Sequence, residues 1–435
     1  MTYTDFLKGK VVIAPASGFD VDPAAINPAL MDHQKDAVMW ACRGGRRALF
    51  ESFGLGKTVQ EIEFCHLTVQ HERQNGHADA KALIVLPLGV KQEFARDAER
   101  ILGYPAPVYV RTMEEAAGFG DEIVMTNYER VRDGDIDPRQ FCTACLDEAS
   151  VLRSFGSKTY QTFLDKFKGV KYKLVCTATP SPNKFKELIH YAGFLEIMDT
   201  GQALTRFFQR DSTKANNLTL YPHKEQEFWL WVASWALLLS KPSDLGYSDA
   251  GYDLPELDIR WHEIPVDHAS AGTDKHGQVK LIRDASISLQ DEAREKRESL
   301  FARVRKMVEL VSAAPEDHFI LWHDLESERH AIKQAIPEAV EVYGTQDLDE
   351  RERRVVDFSE GRIRLLATKK EISGQGCNFQ RHCHRAIFLG IDYKFNDFIQ
   401  AIHRIYRFLQ TEKVIIDNLR ENRRGRTTIL IAHRI

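Results

Sequence analysis

The sequence predicts an α/β protein with two parallel-sheet domains. Two observations support this prediction: short, almost wholly apolar runs alternate with longer amphipathic stretches, and the alternation occurs twice along the chain. A short Val-, Ile- and Leu-rich run that ends at polar residues, Gly or Pro is typical of a strand buried on both faces of a parallel sheet. The helices between such strands imply right-handed βαβ connections.

Two series of these runs define the predicted domains. The first series contains RALF, ALIVLP, EIVMTN, TACLDE and KLVCTATP, and the second contains HFILWHD, AVEVYG, IRLLAT and RAIFLG. We therefore predict an N-terminal extension (1–29), a first lobe (30–200), a helical insertion and linker (201–300), a second lobe (301–416) and an atypical tail (417–435).

The insertion contains the most apolar stretch of the chain, FWLWVASWALLL, from Phe228 to Leu239. Its twelve residues are too few to span a bilayer. Phe228, Trp231, Val232, Trp235 and Leu239 fall at helical spacing, so the stretch is predicted to form one buried core helix.

Composition is that of an ordinary globular protein of more than one domain. The chain has 435 residues, of which 43% are hydrophobic and 28% charged. A net charge of -4 gives no overall nucleic-acid signature, so any such contact must come from local basic patches. The seven scattered cysteines indicate a reducing compartment, and MTYTDFLKGK lacks the order of a signal peptide. We expect a cytoplasmic protein with no membrane partner.

A candidate phosphate-binding loop, FGLGKTVQ, follows the first apolar run. Gly54 and Gly56 allow backbone angles that are closed to other residues and so expose amide N–H groups to a phosphate. Lys57 would reach the β and γ phosphates, and the Thr58 hydroxyl would bind Mg²⁺. The strict phosphate-loop pattern has Gly where this chain has Glu51. The alternative is therefore an ordinary glycine-containing turn that binds no phosphate. The predicted nucleotide-binding residues of the loop are Gly54, Leu55, Gly56, Lys57, Thr58 and Val59.

An acidic pair ends the fourth apolar run, in CLDEAS. Asp147 would bind Mg²⁺ directly or through water, and Glu148 would orient or deprotonate the attacking water. The alternative is a pair of solvated carboxylates at a helix start, where the helix dipole favours them. The position of the pair downstream of Lys57 and one strand before CTATP favours the catalytic interpretation.

Seven ordered segments resemble the superfamily-two helicase-like ATPases, in particular the Swi/Snf-like DNA translocases. They are HQKDAV, FGLGKTVQ, DEAS, CTATPSPNKFKELIHYAGFL, FILWHD with VYGTQDLDERERRVVDF, SGQGCNF and QAIHRIYRFLQ. The resemblance implies two RecA-like lobes with a helical insertion, ATP and Mg²⁺ as cofactors, and an adenine-reading role for Gln34. It also implies a nucleotide contact at Gly376 in the Gly-rich motif. Ser150 stands where the family commonly has His, and KKEI is longer than the family usual.

The last segment, from Gln400 to Gln410, has the spacing Q-A-x-x-R-x-x-R-x-x-Q. The resemblance implies that Arg404 and Arg407 stabilise charge on the transferring phosphate, as arginine fingers do. The permanent charge and planar donor fork of Arg suit that role. The alternative is a solvated arginine stripe on a helix.

The predicted function is an ATP-dependent DNA translocase or helicase, with duplex DNA favoured as the partner. On the resemblance alone, DNA contacts are expected in the segments after VLPLGVKQEF, TNYER and LATKK. The alternatives are an RNA-dependent ATPase, a non-hydrolysing nucleic-acid clamp, and the motor subunit of an assembly with a partner nuclease or methyltransferase.

Two cysteine-containing motifs and the C-terminal tail give no functional prediction. CTAC and CNFQRHCHR do not have the spacing of a standard zinc module. The tail from Asp417 to Ile435 is locally similar to the region around the switch histidine of ABC-transporter ATPases. No ABC signature accompanies it, so His433 is not predicted to be catalytic.

Overall fold

The computed structural model describes residues 12–120, 122–153, 156–181, 184–210, 218–264, 299–373, 378–390 and 395–421. The chain divides into two compact units, the first ending at Ala250 and the second beginning at Gly251. Each unit is built on a parallel sheet with helices, so the predicted fold class is confirmed. The division falls inside the segment predicted to be an insertion and linker, and the finer domain boundaries stay predictions.

The first unit contains a seven-stranded sheet in the order β3-β4-β2-β5-β6-β1-β9. Every pairing in it is parallel. Its strands are β1 (Arg46–Glu51), β2 (Ala82–Leu86), β3 (Val108–Tyr109), β4 (Ile123–Asn127), β5 (Thr143–Leu146), β6 (Tyr172–Cys176) and β9 (Ala236–Leu239). A separate antiparallel pair is formed by β7 (Phe208–Arg210) and β8 (Leu218–Leu220).

Nine helices are described in the first unit. They are α1 (Asp32–Gly44), α2 (Lys57–Gln74), α3 (Lys91–Asp97), α4 (Met113–Gly118), α5 (Tyr128–Asp133), α6 (Lys158–Lys166), α7 (Lys186–Phe194), α8 (Thr200–Phe207) and α9 (Glu225–Ala233). Two apolar clusters of buried residues pack around the sheet. The strands β2, β5 and β6 are buried at every position, as their continuous apolar runs predict.

The predicted helix from Phe228 to Leu239 is wrong beyond Ala233. The helix α9 ends there, and after two intervening residues Ala236–Leu239 form β9 at the edge of the large sheet. The reason is hydrogen bonding: β9 pairs with β1, whose outer edge would otherwise lack partners. Phe228, Trp231 and Trp235 are nevertheless fully buried, so the predicted burial of this stretch is correct.

The second unit contains a six-stranded parallel sheet in the order β10-β15-β14-β11-β13-β12. Its strands are β10 (Leu257–Ile264), β11 (His318–Trp322), β12 (Val340–Val342), β13 (Leu365–Thr368), β14 (Cys383–Phe388) and β15 (Val414–Glu421). Its described helices are α10 (Leu300–Ser312), α11 (Glu326–Ala335), α12 (Leu348–Ser359), α13 (Lys370–Ser373) and α14 (Phe395–Ile402).

Two strands of this sheet come from segments in which no strand was predicted. β10 lies in the predicted linker, and β15 crosses from the predicted second lobe into the atypical tail. The two strands pair in parallel over eight positions, from Leu257 with Val414 to Ile264 with Glu421. Residues 417–421 therefore belong to the second sheet, whereas His433 and Gly376 lie outside the described residues.

Candidate active site

The candidate site lies at the carboxyl edge of the first sheet, where the loops after β1, β5 and β6 emerge. In a parallel sheet all strands end at the same edge, and ligands of α/β folds bind there. The loop after β1 carries the glycine-rich segment, the loop after β5 carries the acidic pair, and Thr177 follows β6. The order β5-β6-β1 makes these loops neighbours.

The loop after β1 has the geometry of a phosphate cradle. Gly54 and Gly56 have φ angles of 89° and 83°, which side chains other than glycine rarely allow. Gly56 caps α2, a helix of 18 residues that has no side-chain cap at its start. The N–H groups of its first turn therefore lack side-chain partners at the cap, and the helix dipole adds positive potential where they point. This combination is suited to binding an anion.

Lys57 lies across this loop. Its Nζ donates hydrogen bonds to the main-chain carbonyl oxygens of Glu51 at 2.8 Å and Ser52 at 3.1 Å. Both acceptors are neutral and belong to the loop, so phosphate oxygens would be stronger partners for the ammonium.

Gln34 braces the loop from α1. Its Nε2 donates to the carbonyl oxygen of Leu55 at 2.9 Å, and its Oε1 accepts from the main-chain N–H of Met31. A Cβ atom at Gly56 would lie 2.2 Å from the Gln34 Nε2, so glycine is required there for two reasons. The structure thus gives Gln34 a bracing role, while its predicted adenine contact stays a prediction.

Two predicted nucleotide-binding residues, Leu55 and Val59, are buried. Val59 packs in one of the two apolar clusters beside the sheet, and the carbonyl oxygen of Leu55 accepts the hydrogen bond from Gln34. Only their main-chain groups can therefore face a nucleotide. Thr58, by contrast, is half-buried in the first turn of α2, and its metal contact stays a prediction.

The acidic pair is held in an unusual backbone geometry. The main-chain N–H of Asp147 donates to the carbonyl oxygen of Val85 in β2 at 2.9 Å. Glu148 has a φ angle of 48°, in the left-handed region that non-glycine residues seldom adopt. Its carboxylate accepts a hydrogen bond of 3.2 Å from the Thr177 hydroxyl, which ties it to the loop after β6. Strained backbone of this kind is concentrated at functional sites.

Burial raises the pKa of the carboxyl groups at this site, and for Asp147 and Glu61 neighbouring negative charge adds to the rise. Burial, together with the charge of Glu148, raises the pKa of Asp147 to about 7, while the Lys57 ammonium opposes the rise. Burial also raises the pKa of Glu51 to about 7, and raises the pKa of Glu61 well above its ordinary value. Lys57 lowers the pKa of all three carboxyl groups, so they surround a single cation.

The two arginines of the second unit lie beyond the end of α14, not on a helix. α14 ends at Ile402, and the segment with Arg404 and Arg407 forms turns. Arg404 is buried, with 3% of its surface exposed, so a solvated helical stripe is excluded for it. Gln410 fixes the end of this segment, because its Nε2 donates to the carbonyl oxygens of Cys383 and Ile405. Arginine-finger roles for Arg404 and Arg407 stay predictions.

The two lysines that precede the predicted DNA-contact segment after LATKK are paired within the second unit, and that contact stays a prediction. The side chain of Lys370 is 1% exposed and forms an ion pair of 3.0 Å with Asp324. The neighbouring Lys369 pairs with Glu326 at 2.6 Å, so both charges of LATKK are balanced inside the second unit. The last three residues of the extra segment KKEI lie in the single turn α13, Lys370–Ser373.

The residues present fit a magnesium nucleotide. The first turn of α2 and Lys57 provide donors for phosphate oxygens, and Thr58 and Asp147 provide the oxygen ligands that Mg²⁺ prefers. Sequence reasoning missed Tyr128, which contacts Asp147, and Thr177, because both act through folding of distant segments. Only the position of Thr177 directly after a buried strand could have indicated it.

A glycine-rich loop and an acidic pair at one edge of a parallel sheet are typical of nucleotide-binding α/β proteins. Comparison with known families agrees: residues 33–227 match the model of the SNF2-related domain. This match and the relatives described below support the resemblance of the chain to the Swi/Snf-like branch of the superfamily-two ATPases.

Two relatives show how far the similarity extends. The chromatin structure-remodeling complex subunit snf21 of Schizosaccharomyces pombe is 29% identical over 150 residues, which cover 32% of this chain and 12% of that protein. The human chromodomain-helicase-DNA-binding protein 1 is 27% identical over 179 residues, which cover 37% of this chain and 10% of that protein. The chain therefore matches only about a tenth of each relative's length.

Among solved structures, the Sulfolobus solfataricus SWI2/SNF2 ATPase core in complex with dsDNA aligns with a TM-score of 0.42 and 17% identity. The alignment covers 92% of this chain and 90% of that chain. Within the described residues, the helices include none that is both long and apolar enough to cross a membrane.

Proposed function

We propose that the protein is an ATP-dependent DNA translocase that couples ATP hydrolysis to movement along duplex DNA. The observation that carries this proposal is the joint placement of the glycine loop, Lys57 and the Asp147–Glu148 pair at one sheet edge, within residues that match the SNF2-related domain. A clamp that only held nucleic acid would not need this combination of groups.

The residues of the first unit divide the work of hydrolysis. Lys57 and the first-turn N–H groups of α2 would bind the β and γ phosphates, and Thr58 with Asp147 would hold Mg²⁺. When bound, the magnesium nucleotide supplies the phosphoanhydride bond and the neutralising cation. The Glu148 carboxylate, fixed by Thr177, would orient the attacking water and accept its proton. Arg404 and Arg407 of the second unit would stabilise charge in the transition state.

A cluster of basic and aromatic side chains supports nucleic acid as the partner. We call Lys91, Tyr109, Arg111 and Arg130 the basic–aromatic cluster. They lie at or beyond the ends of β2, β3 and β4, three adjacent strands. The Lys91 Nζ lies 5.4 Å from the centre of the Tyr109 ring, and the charges of Arg130 and Arg111 both lower the pKa of Tyr109 against the effect of burial. Such groups bind phosphates and can stack on bases.

Acidic side chains beside the basic–aromatic cluster reduce its net positive charge, so the cluster is suited to weak, repeated contacts with phosphates. Arg130 also pairs with Asp135 at 2.7 Å, and Glu129 adjoins it in α5. Contacts to the phosphate backbone that depend on a few exposed cations are strongly salt-dependent and independent of sequence. That behaviour is what a protein that moves along DNA requires.

We also place the protein in a reducing compartment such as the cytoplasm. The six cysteines within the described residues are free thiols. Two of them, Cys65 in α2 and Cys145 in β5, have sulfur atoms 3.3 Å apart in the core below the candidate site. An oxidising compartment would favour a cross-link between such thiols.

The proposal is tested by ATP hydrolysis rates with duplex DNA, single-stranded DNA and RNA. We expect the largest stimulation with duplex DNA, and no turnover in Lys57→Ala, because that change removes the ammonium from the phosphate cradle. Lys168→Ala, at an exposed position of the same unit, is the matched control and should hydrolyse ATP normally. Stimulation by RNA alone would favour an RNA-dependent ATPase. Normal turnover in Lys57→Ala would refute the site.

A further inference from the structure

Tyr128 connects the basic–aromatic cluster with the acidic pair. It is the first residue of α5, directly after β4, and its hydroxyl donates a hydrogen bond of 2.6 Å to the main-chain carbonyl oxygen of Asp147. β4 and β5 are separated in the sheet by β2, so the side chain reaches across the end of β2. Its ring stacks on the fully buried Phe163, with centroids 5.8 Å apart and planes 14° from parallel.

The carbonyl group that Tyr128 holds belongs to the peptide that joins Asp147 to Glu148. The other side of Asp147 is fixed by its N–H, which donates to Val85 in β2. With both main-chain groups of Asp147 bound, the plane of the following peptide is fixed too. The φ angle of 48° at Glu148 starts from that plane, so the Tyr128 hydroxyl helps to hold Glu148 in its left-handed conformation.

Two further contacts of Glu148 act at other positions of the residue. The Thr177 hydroxyl binds the Glu148 carboxylate, and the N–H of Ser150 donates to the Glu148 carbonyl oxygen at 2.6 Å. Both act on groups beyond the Glu148 Cα, whereas Tyr128 acts on the peptide before it. Burial raises the pKa of Tyr128 well above its ordinary value, so the phenol keeps its proton and remains a donor.

α5 also carries Arg130, two residues after Tyr128 and in electrostatic contact with Tyr109. Nucleic acid bound to the basic–aromatic cluster would therefore contact α5, and Tyr128, the first residue of that helix, holds the Asp147–Glu148 peptide. Asn127 joins the two, since its side chain accepts a hydrogen bond from the N–H of Arg130 and so caps α5.

We propose that Tyr128 is a positioning residue for ATP hydrolysis, and that its hydroxyl links the nucleic-acid contact on α5 to the orientation of Glu148. This inference rests on the proposed function, because it assigns Tyr128 a part in the same reaction. It predicts that the hydroxyl matters for the chemical step and for stimulation by DNA, and not for binding of either ligand.

The test is Tyr128→Phe, which removes the hydroxyl and keeps the ring against Phe163. We expect kcat in the presence of duplex DNA to fall about tenfold, the change that one lost hydrogen bond of this kind produces. KM for ATP and the affinity for duplex DNA should stay within about twofold of the wild type. Tyr172→Phe is the matched control, because it removes a buried hydroxyl that donates to Glu72 at 2.9 Å near the start of β6, at the opposite edge of the sheet.

A double-mutant cycle separates positioning from general destabilisation. In the Glu148→Gln background, Tyr128→Phe should change the single-turnover rate by less than about twofold, because its effect passes through Glu148. The assignment would be overturned if Tyr128→Phe reduced the rate by the same factor in the Glu148→Gln background as in the wild type. It would also be overturned if Tyr128→Phe and Tyr172→Phe reduced kcat equally. A wild-type chain that hydrolyses no ATP would overturn the proposed function as well, whereas normal kcat in Tyr128→Phe would overturn only the role of Tyr128.

Discussion

At the residue scale, the site depends on a few polar groups whose surroundings change their chemistry. Three carboxyl groups, those of Glu51, Glu61 and Asp147, surround the ammonium of Lys57. Without enough positive charge to balance them, burial favours their protonated forms. Bound Mg²⁺ would compete with the proton on Asp147, so the site is arranged to lose a proton when the metal binds.

The second unit also contains a buried polar side chain, that of His323. His323 follows β11 and is fully buried, and within the described residues neither of its ring nitrogens has a hydrogen-bond partner. Burial lowers the pKa of His323 to about 4; the carboxylate of Glu328 opposes that effect, and the ammonium of Lys369 adds to it. The folded state therefore holds the neutral imidazole.

This shift predicts a specific dependence of stability on pH. Between about pH 4 and 6.5 the unfolded chain binds a proton at His323 that the folded chain does not, so stability rises with pH in that window. On acidification from pH 6.5 the second unit should lose about 3 kcal/mol through this residue.

His323→Leu should remove most of that loss and leave the protein at least as stable at pH 7, since no hydrogen bond is broken. His330→Leu, at an exposed position of α11, is the control and should keep the acid sensitivity. Denaturant unfolding at pH 4.5 and pH 7 measures both variants. An unchanged pH dependence in His323→Leu would contradict the assignment.

At the element scale, the sequence predicted many strands of both sheets and missed others, among them β9, β10 and β15. β1, β2, β5 and β6 are continuous apolar runs, and the pattern alone identifies them. β9 was predicted as helix because a run of four apolar residues does not distinguish helix from strand. β10 was missed because it is an edge strand in which only Ile264 is fully buried.

The site shows the same division. The glycine loop and the acidic pair were predictable because their residues are close in sequence to the strands that position them. The bond from Tyr128 to Asp147 and the brace from Gln34 to Leu55 were not, since each joins segments about twenty residues apart through folding. The burial of Arg404 depends on the packing of the second unit and has no local signal.

The turn into α2 gives the element-scale prediction. Gly56→Ala should weaken nucleotide binding at least about tenfold, because the new Cβ would displace the Gln34 amide and deform the loop. The left-handed backbone at this position adds about 1–2 kcal/mol of destabilisation. Thermal unfolding and titration with a fluorescent ATP analogue measure the two effects.

Gly76→Ala is the matched control. Gly76 also has a positive φ, of 96°, but a Cβ there would meet nothing within 4 Å. It should lose a similar amount of stability and bind nucleotide normally. If both variants bound ATP equally well, the close approach of Gln34 to the loop would have no part in binding.

At the scale of the whole molecule, the chain consists of two units with parallel sheets, and the proposed chemistry draws on both. The first unit holds the phosphate loop and the acidic pair, and the second holds Arg404 and Arg407. Dependence of one reaction on both units would tie hydrolysis to their conformational states, which is how nucleotide turnover can drive movement.

The most direct test of this account is the ATPase rate of Arg407→Ala with duplex DNA, together with its affinity for a fluorescent ATP analogue. The account predicts loss of turnover with nucleotide affinity unchanged, because the guanidinium acts on the transition state and not on the bound nucleotide. Arg305→Ala, at an exposed position of α10, should behave as the wild type. Normal DNA-stimulated hydrolysis in Arg407→Ala would contradict the claim that both units serve one reaction.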